Sequence, residues 1–216
     1  MSQLPHGKDP TDDLWEAMYT QRAIRYWQDK PVPRSLLEKV IESASKAPSG
    51  SNHQPWVFVV VDDAEKRQAL GDALKAIYEG GPLKDFIASG QKTGDRSQRL
   101  MLQGAQSFFS GLARAPALII PCLYQLSSPT PDPTSLEAGS SIYMAVQNLM
   151  LSARALGLGT VMTTAHTLIE QPLREVTGIP ENAYPVALIP IGYPDANFGP
   201  TRRKGLDEIL RWNEWG

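Results

Sequence analysis

The sequence predicts a β-sheet packed by helices, of α+β or α/β class. Three apolar runs of strand length, Trp56–Val61, Ala115–Leu123 and Tyr184–Tyr193, are spread along the chain. They alternate with stretches whose apolar residues recur at helical spacing. No internal repeat and no linker-like shift in composition divides the 216 residues, so residues 12–216 are expected to form a single domain.

Residues 1–11, with Pro5, Gly7 and Pro10, read as a flexible lead-in. Thr11-Asp12-Asp13 supplies N-caps for a helix over Leu14–Thr20. Pro31-Val32-Pro33 is a rigid connector. Ser35 is expected to cap the next helix, Leu36–Lys46, whose Leu36, Leu37, Val40, Ile41 and Ala44 follow the helical period. The strand Trp56–Val61 ends at Asp62-Asp63, which opens a helix over Ala64–Tyr78. Gly80-Gly81-Pro82 breaks the chain. Residues 79–113 are poorly periodic, and Gly90, Gly94 and Gly104 weaken any long helix there. This stretch reads as a lid or as a plain surface excursion.

Ala115–Leu123 reads as a buried strand and Ser127–Pro133 as a proline-rich loop. The strongest helix follows over Ser135–Leu156. Its small residues Gly139, Ser140, Ser141 and Ala145 allow close backbone approach, which places it centrally. Gly157-Leu158-Gly159 stops it. Thr160–Thr164 is extended, Leu168–Thr177 is a helix ended by Gly178, Tyr184–Tyr193 is a strand, and Leu206–Trp212 is an amphipathic helix.

Hydrophobic residues make up 42% of the chain and charged residues 20%, which supports a packed core and argues against disorder. A net charge of −2 argues against general nucleic-acid binding. No apolar run is long enough to span a membrane, and Met1–Pro10 lacks an apolar signal region, so a cytoplasmic protein is expected. The single cysteine, Cys122, forms no intrachain disulfide and reads as a small buried apolar residue. No zinc, P-loop or dinucleotide fingerprint is present.

Three donor-rich points remain. Arg22 and Arg25 are three apart, and in a turn they converge on an anion, whereas on an open surface they are merely solvated. The loop Ala47-Pro48-Ser49-Gly50-Ser51-Asn52-His53-Gln54-Pro55-Trp56 joins a helix to a strand and leaves N–H groups free for a flat polar ligand, or is an ordinary connection. Arg202-Arg203-Lys204 is a phosphate clamp or a charged turn. His53 and His166 are candidate site residues, each with the plainer reading of an ordinary histidine.

These points carry a resemblance. The 47–56 loop is similar to the A-P-S-x-x-N-x-Q-P-W signature of the nitroreductase family. Gln21–Trp27 resembles the family's R-R-S-x-R-x-F element, with Gln21 and Ala23 in place of the usual Arg and Ser. Gly139–Leu149 resembles its G-x-x-x-x-x-A-x-Q-N-L helix, followed by a G-L-G turn at 157–159 and the closing strand Ile191-Gly192-Tyr193-Pro194. The elements stand in family order.

The resemblance implies a nitroreductase-like α+β fold: a central, mostly antiparallel sheet flanked by helices, in an intertwined homodimer with FMN at the interface. It implies that Arg22, Ala23 and Arg25 hold FMN, Arg25 near the N1–C2 edge of the flavin, and that Arg202 and Arg203 bind the phosphate. Pro48, Ser49, Gly50 and Asn52 would reach FMN from the partner subunit. Met162, Thr163 and Thr164 would flank the isoalloxazine. The implied reaction is ping-pong, with hydride passing from NADH or NADPH to flavin N5 and then to a nitroaromatic, quinone or similar flat acceptor. It needs no catalytic side chain and no metal. The alternatives are an FMN storage or sensing protein, and a reductive dehalogenase on the same fold.

Overall fold

The computed structural model describes residues 7–92, 95–126 and 132–215. Five strands form one sheet: β1 (Trp56–Val61), β2 (Ala117–Tyr124), β3 (Gly159–Thr160), β4 (Ala183–Pro185) and β5 (Ile189–Gly192). The spatial order is β1-β2-β5-β3, β4 also pairs with β2, and every pairing between these strands is antiparallel.

β2 reads as a continuous apolar run because it is covered on both faces. Leu118, Ile120 and Cys122 enter a core shared with helices α3 (Ala64–Gly80), α5 (Arg96–Gly111) and α7 (Glu170–Thr177). Ala117 and Ile119 enter the opposite core, against α2 (Arg34–Ala44) and α6 (Leu136–Ala155). α6 is indeed central: Ala138, Gly139, Ser141, Ile142, Ala145, Val146, Leu149, Ala153 and Arg154 are all buried.

The strand expected over Tyr184–Tyr193 is two pieces, and Pro121 in β2 accounts for the break. Val186 N–H donates to the Pro121 carbonyl at 2.9 Å, but Pro121 has no N–H to return. Three residues, Val186–Leu188, therefore lie opposite two, Ile120 and Pro121, which is a one-residue bulge. Leu188 turns its backbone to Thr163 instead, donating at 2.8 Å and accepting at 3.1 Å.

The helix caps follow the sequence with one exception. Asp13 and Asp63 accept from Glu16 N–H and Lys66 N–H at 2.7 and 2.9 Å. Ser35 does not cap α2. The helix begins two residues earlier, at Arg34, and the Pro33 carbonyl takes the N–H groups of Leu36 and Leu37. The tail helix is shorter than expected, a single turn over Leu206–Ile209 (α8), and the short helix expected from Leu168 begins as a 3-10 turn at Ala165.

Residues 79–113 are more regular than their sequence implies. Pro82 sits at the first position of α4 (Pro82–Gly90), where its missing N–H costs nothing, and Asp95 caps α5. The two helices share a small core of Tyr78, Ile87 and Leu102, extended by Tyr78 stacked on Phe109 at 5.8 Å between ring centroids. Helix propensity undervalued them because tertiary packing supplies what the glycines remove. Gly94 lies outside the described residues, as do 1–6 of the lead-in and 127–131 of the proline-rich loop.

Residues 7–11 are fastened rather than loose. Phe198 N–H donates to the Gly7 carbonyl at 2.8 Å and Thr11 N–H to the Ala155 carbonyl at 2.9 Å. Arg154, 2% exposed, donates to the Asp9 carbonyl, to Thr20 Oγ1 and to Glu16, at 2.8, 2.8 and 2.7 Å, and lies over the Phe198 ring. It joins the N-terminal segment, α1 (Leu14–Thr20), α6 and residue 198. Replacing it removes the counter-charge of Glu16, which keeps only the Thr11 hydroxyl, and leaves the Asp9 carbonyl without its donor. Arg154→Met is expected to lower the unfolding free energy by about 2–4 kcal/mol in urea denaturation.

Candidate functional site

The segment after α1 is threaded along the edge of the sheet. Ile24 N–H donates to the Thr160 carbonyl at 2.9 Å, and Trp27 Nε1 donates to the Gly159 carbonyl at 3.3 Å. Such contact is open only because residue 159 is glycine, since a Cβ there would fall 2.7–2.9 Å from side-chain atoms of Ile24. Ile24 is buried, while Arg22 and Ala23 are exposed and Arg25 is half-buried beside them.

Burial, and then the neighbouring Arg22 cation, pull the Arg25 guanidinium below its ordinary value, with Tyr26 acting in the other direction. Among the described residues Arg25 has neither a hydrogen bond nor an ion-pair partner. Its side chain rests on Gly104 of α5, with Cδ 3.2 Å from where a Cβ of residue 104 would stand. A cation that has lost part of its hydration without gaining a counter-charge is poised to receive an electron-rich group.

Two connections bring the other basic and flanking residues to this place. Thr201 N–H donates to the Tyr19 carbonyl at 3.0 Å, which carries Arg202 and Arg203 to the end of α1, two to three residues before Arg22. Both arginines are exposed. Thr163 continues the pairing of β3 with β5 by bonding Leu188, so Met162, Thr163 and Thr164 follow directly on the strand that carries Ile24. Met162 and Thr164 are exposed and Thr163 is half-buried.

The signature loop forms a second group. Gly50–Asn52 is a 3-10 turn, and Ser51, Asn52 and Gln54 have positive φ of 50°, 55° and 51°. Such angles are uncommon for residues with a side chain and mark an arrangement held from outside. Ser49 Oγ accepts from Gln54 N–H at 2.9 Å, and Gly50 N–H donates to Ser141 Oγ on α6 at 3.3 Å. Pro48, Gly50 and Asn52 remain exposed. A cavity of about 380 Å³ lies between Gly50, Ser51, His53 and the first turns of α6. No hydrogen bond or ion pair links this loop to the arginine group among the described residues.

Cys122 is buried as its sequence context implies, and His166 is nearly so. Cys122 is buried in the sheet, and burial pushes its thiol up to about 12. His166 is 5% exposed at the edge of a cleft of about 430 Å³ with Tyr143 and Thr164, but its Nδ1 is inaccessible and unpartnered. Burial lowers its affinity for a proton, with the Thr163 and Pro185 backbone and Glu170 opposing.

The two residues that seat the arginine segment, Gly104 and Gly159, were read as a helix weakener and a helix stop.

Native Cys122 is expected to resist thiol reagents near pH 8 and to titrate as one equivalent once the chain is unfolded. For His166 the unfolded state binds the proton more readily, so stability is full above about pH 6.5 and falls as pH drops toward the lower folded value. His166→Gln should flatten the loss, worth up to about 1.4 kcal/mol per pH unit, in urea midpoints compared at about pH 7.5 and about pH 5.5.

The sequence matches the Nitroreductase family over residues 19–193. It is 32% identical over 195 residues to a Methanothermobacter thermautotrophicus protein provisionally described as an NADH dehydrogenase/NAD(P)H nitroreductase, covering 89% of this chain and 83% of that one. It is 26% identical over 204 residues to mouse iodotyrosine deiodinase 1, covering 93% and 69%. Its fold superposes on the FMN and NADPH-dependent nitroreductase of a Sphigopyxis strain with a TM-score of 0.72 at 23% identity, covering 94% and 100%. The antiparallel sheet between two helical layers, the signature loop against the central helix and the arginine segment along the sheet edge occur here in one chain, which belongs to the nitroreductase family.

Proposed function

We propose that this protein is an FMN-dependent NAD(P)H oxidoreductase that passes reducing equivalents from NADH or NADPH to a nitroaromatic, a quinone or a similar flat acceptor. The observation that carries this reading is Arg25, a half-buried cation without a counter-charge beside Arg22 and the Met162–Thr164 segment. The donor set fits FMN. Guanidinium groups suit a phosphate and the carbonyl edge of a flavin, and an exposed apolar Met162 beside hydroxyls suits a flat ring with polar margins.

FMN bound here would supply hydride acceptance and donation at N5. Arg25 would hold positive charge near the N1–C2 edge, where reduction deposits negative charge, and so raise the electron affinity of the ring. Arg22 would add to the same field. Arg202 and Arg203 would hold the phosphate. The exposed backbone of Met162, Thr163 and Thr164 would lie along the ring. No side chain has to move a proton for hydride to pass.

We place the loop Pro48, Ser49, Gly50 and Asn52 at the FMN of a partner subunit. The apolar surface of α1 and α6 supports this, where Leu14, Trp15, Leu136, Tyr143 and Met144 are exposed. A homodimer would cover that surface and complete two sites. The α4–α5 pair, with Phe86, Leu100 and Met101 exposed, would serve as the lid over the acceptor. No helix among the described residues is long and apolar enough to cross a membrane, and we assign the enzyme to the cytoplasm.

A visible spectrum of the purified protein tests the reading. Flavin absorption that bleaches with anaerobic NADPH or NADH is expected. Absorption that persists would favour storage or sensing, and the absence of flavin after adding FMN would sink the proposal. Reductive dehalogenation, the activity named in the deiodinase relatives, is separated from nitro or quinone reduction by an acceptor screen on the reduced enzyme. Arg25→Ala, and separately Arg202→Ala with Arg203→Ala, should each weaken FMN binding roughly ten- to a hundredfold, measured by fluorescence titration of the apoprotein.

A further inference from the structure

Glycine in the middle of a helix is disfavoured, because it restricts a flexible backbone and packs no side chain. α5 nevertheless carries a buried glycine at 104, well inside its Arg96–Gly111 span. Two other helix glycines serve apolar packing. A Cβ on Gly71 would strike Ala113, and one on Gly90 would strike Leu102, so both serve the approach of apolar elements. Gly104 opens instead onto a charged side chain from a distant part of the chain. A Cβ there would stand 3.2 Å from Arg25 Cδ, 3.5 Å from Nη1 and 3.9 Å from Nε. The distal half of Arg25 therefore crosses the space that any side chain at 104 would need.

We infer that Gly104 is a positioning residue for Arg25: the bare backbone of α5 sets where this guanidinium lies, and so sets its reach toward the flavin. The inference rests on the reading of Arg25 as an FMN contact. Two supports hold the other end of the arrangement. Ile24, the residue before Arg25, is locked by its bond to Thr160 and by the missing side chain of Gly159. α5 is locked to α3 and α4 through Phe108, Phe109 and Leu102. With the backbone fixed on one side and the helix on the other, a methyl at 104 leaves the Arg25 side chain as the part that gives way. Among the described residues no hydrogen bond or ion pair of Arg25 resists that shift, so displacement rather than helix movement is the expected response. The same geometry couples the α4–α5 pair to the cofactor: the element proposed to cover the acceptor also rests against the cation proposed to tune the flavin.

The test is a double-mutant cycle on the full-length protein, with FMN affinity measured by fluorescence titration of the apoprotein and the midpoint potential measured after reconstitution. Gly104→Ala is expected to weaken FMN binding about three- to tenfold, and Gly104→Val at least as much. The bound flavin should become harder to reduce, in the same direction as in Arg25→Ala. The melting temperature of apo Gly104→Ala should match or exceed the wild type, because alanine favours the helix, so the loss is not one of folding. In the Arg25→Ala background Gly104→Ala should have no further effect on either quantity. The inference fails if Gly104→Ala and Gly104→Val bind FMN like the wild type while Arg25→Ala is weakened, or if the Gly104 effect persists undiminished without Arg25. If Arg25→Ala itself binds FMN normally, the assignment of Arg25 falls, and this inference with it.

Discussion

The structure depends on β2 being buried on both faces and paired along both edges. β1 lies on one side and β4 and β5 on the other, with a helical layer above and another below. A strand in that position can contain almost nothing but apolar side chains, and its backbone groups must find partners in the sheet. Pro121 is the one place where it fails to supply a donor. The neighbouring strand absorbs the failure as a bulge, and the bulge frees Leu188 to hold Thr163. A requirement of the core is thereby passed outward to the segment beside the proposed flavin.

The same logic explains why the proposed site lies at the β3 edge. β3 is only two residues long, and its outer side is taken by the Ala23–Trp27 segment rather than by another full strand. The chain there is extended and tightly fitted, so Arg22, Ala23 and Arg25 are displayed from a backbone with little freedom. Arg25 is then held without a counter-ion among the described residues, which costs free energy that the proposed flavin would offset. The signature loop carries a comparable strain in the positive φ of Ser51, Asn52 and Gln54.

Much of this was legible in the sequence. The apolar runs marked β1 and β2, the long periodic stretch marked α6, and Asp13 and Asp63 marked helix starts. The family resemblance named the loop and the arginine segment. What the sequence hid has physical reasons. The break in the last strand depends on a proline in a different strand, which no local pattern of 184–193 contains. α4 and α5 were obscured by glycines whose cost is offset by contacts made far away in sequence. Arg34 could not be read as the helix start because the Pro33 carbonyl, not the Ser35 hydroxyl, receives the first N–H groups. Gly104 and Gly159 are silent in sequence, since their purpose is to be absent from the path of Arg25 and Ile24.

Arg154 has a consequence for how the molecule opens. Its partners come from residues 9, 16 and 20 and it stacks on residue 198, so no single stretch can peel away without leaving a desolvated cation behind. Residues 7–11 therefore do not fray as an ordinary terminal segment would. Their release belongs to the same cooperative unit as α1 and α6, and the amides of Thr11 and Phe198 should share the slow hydrogen-exchange class of the core rather than the fast class of a loose end.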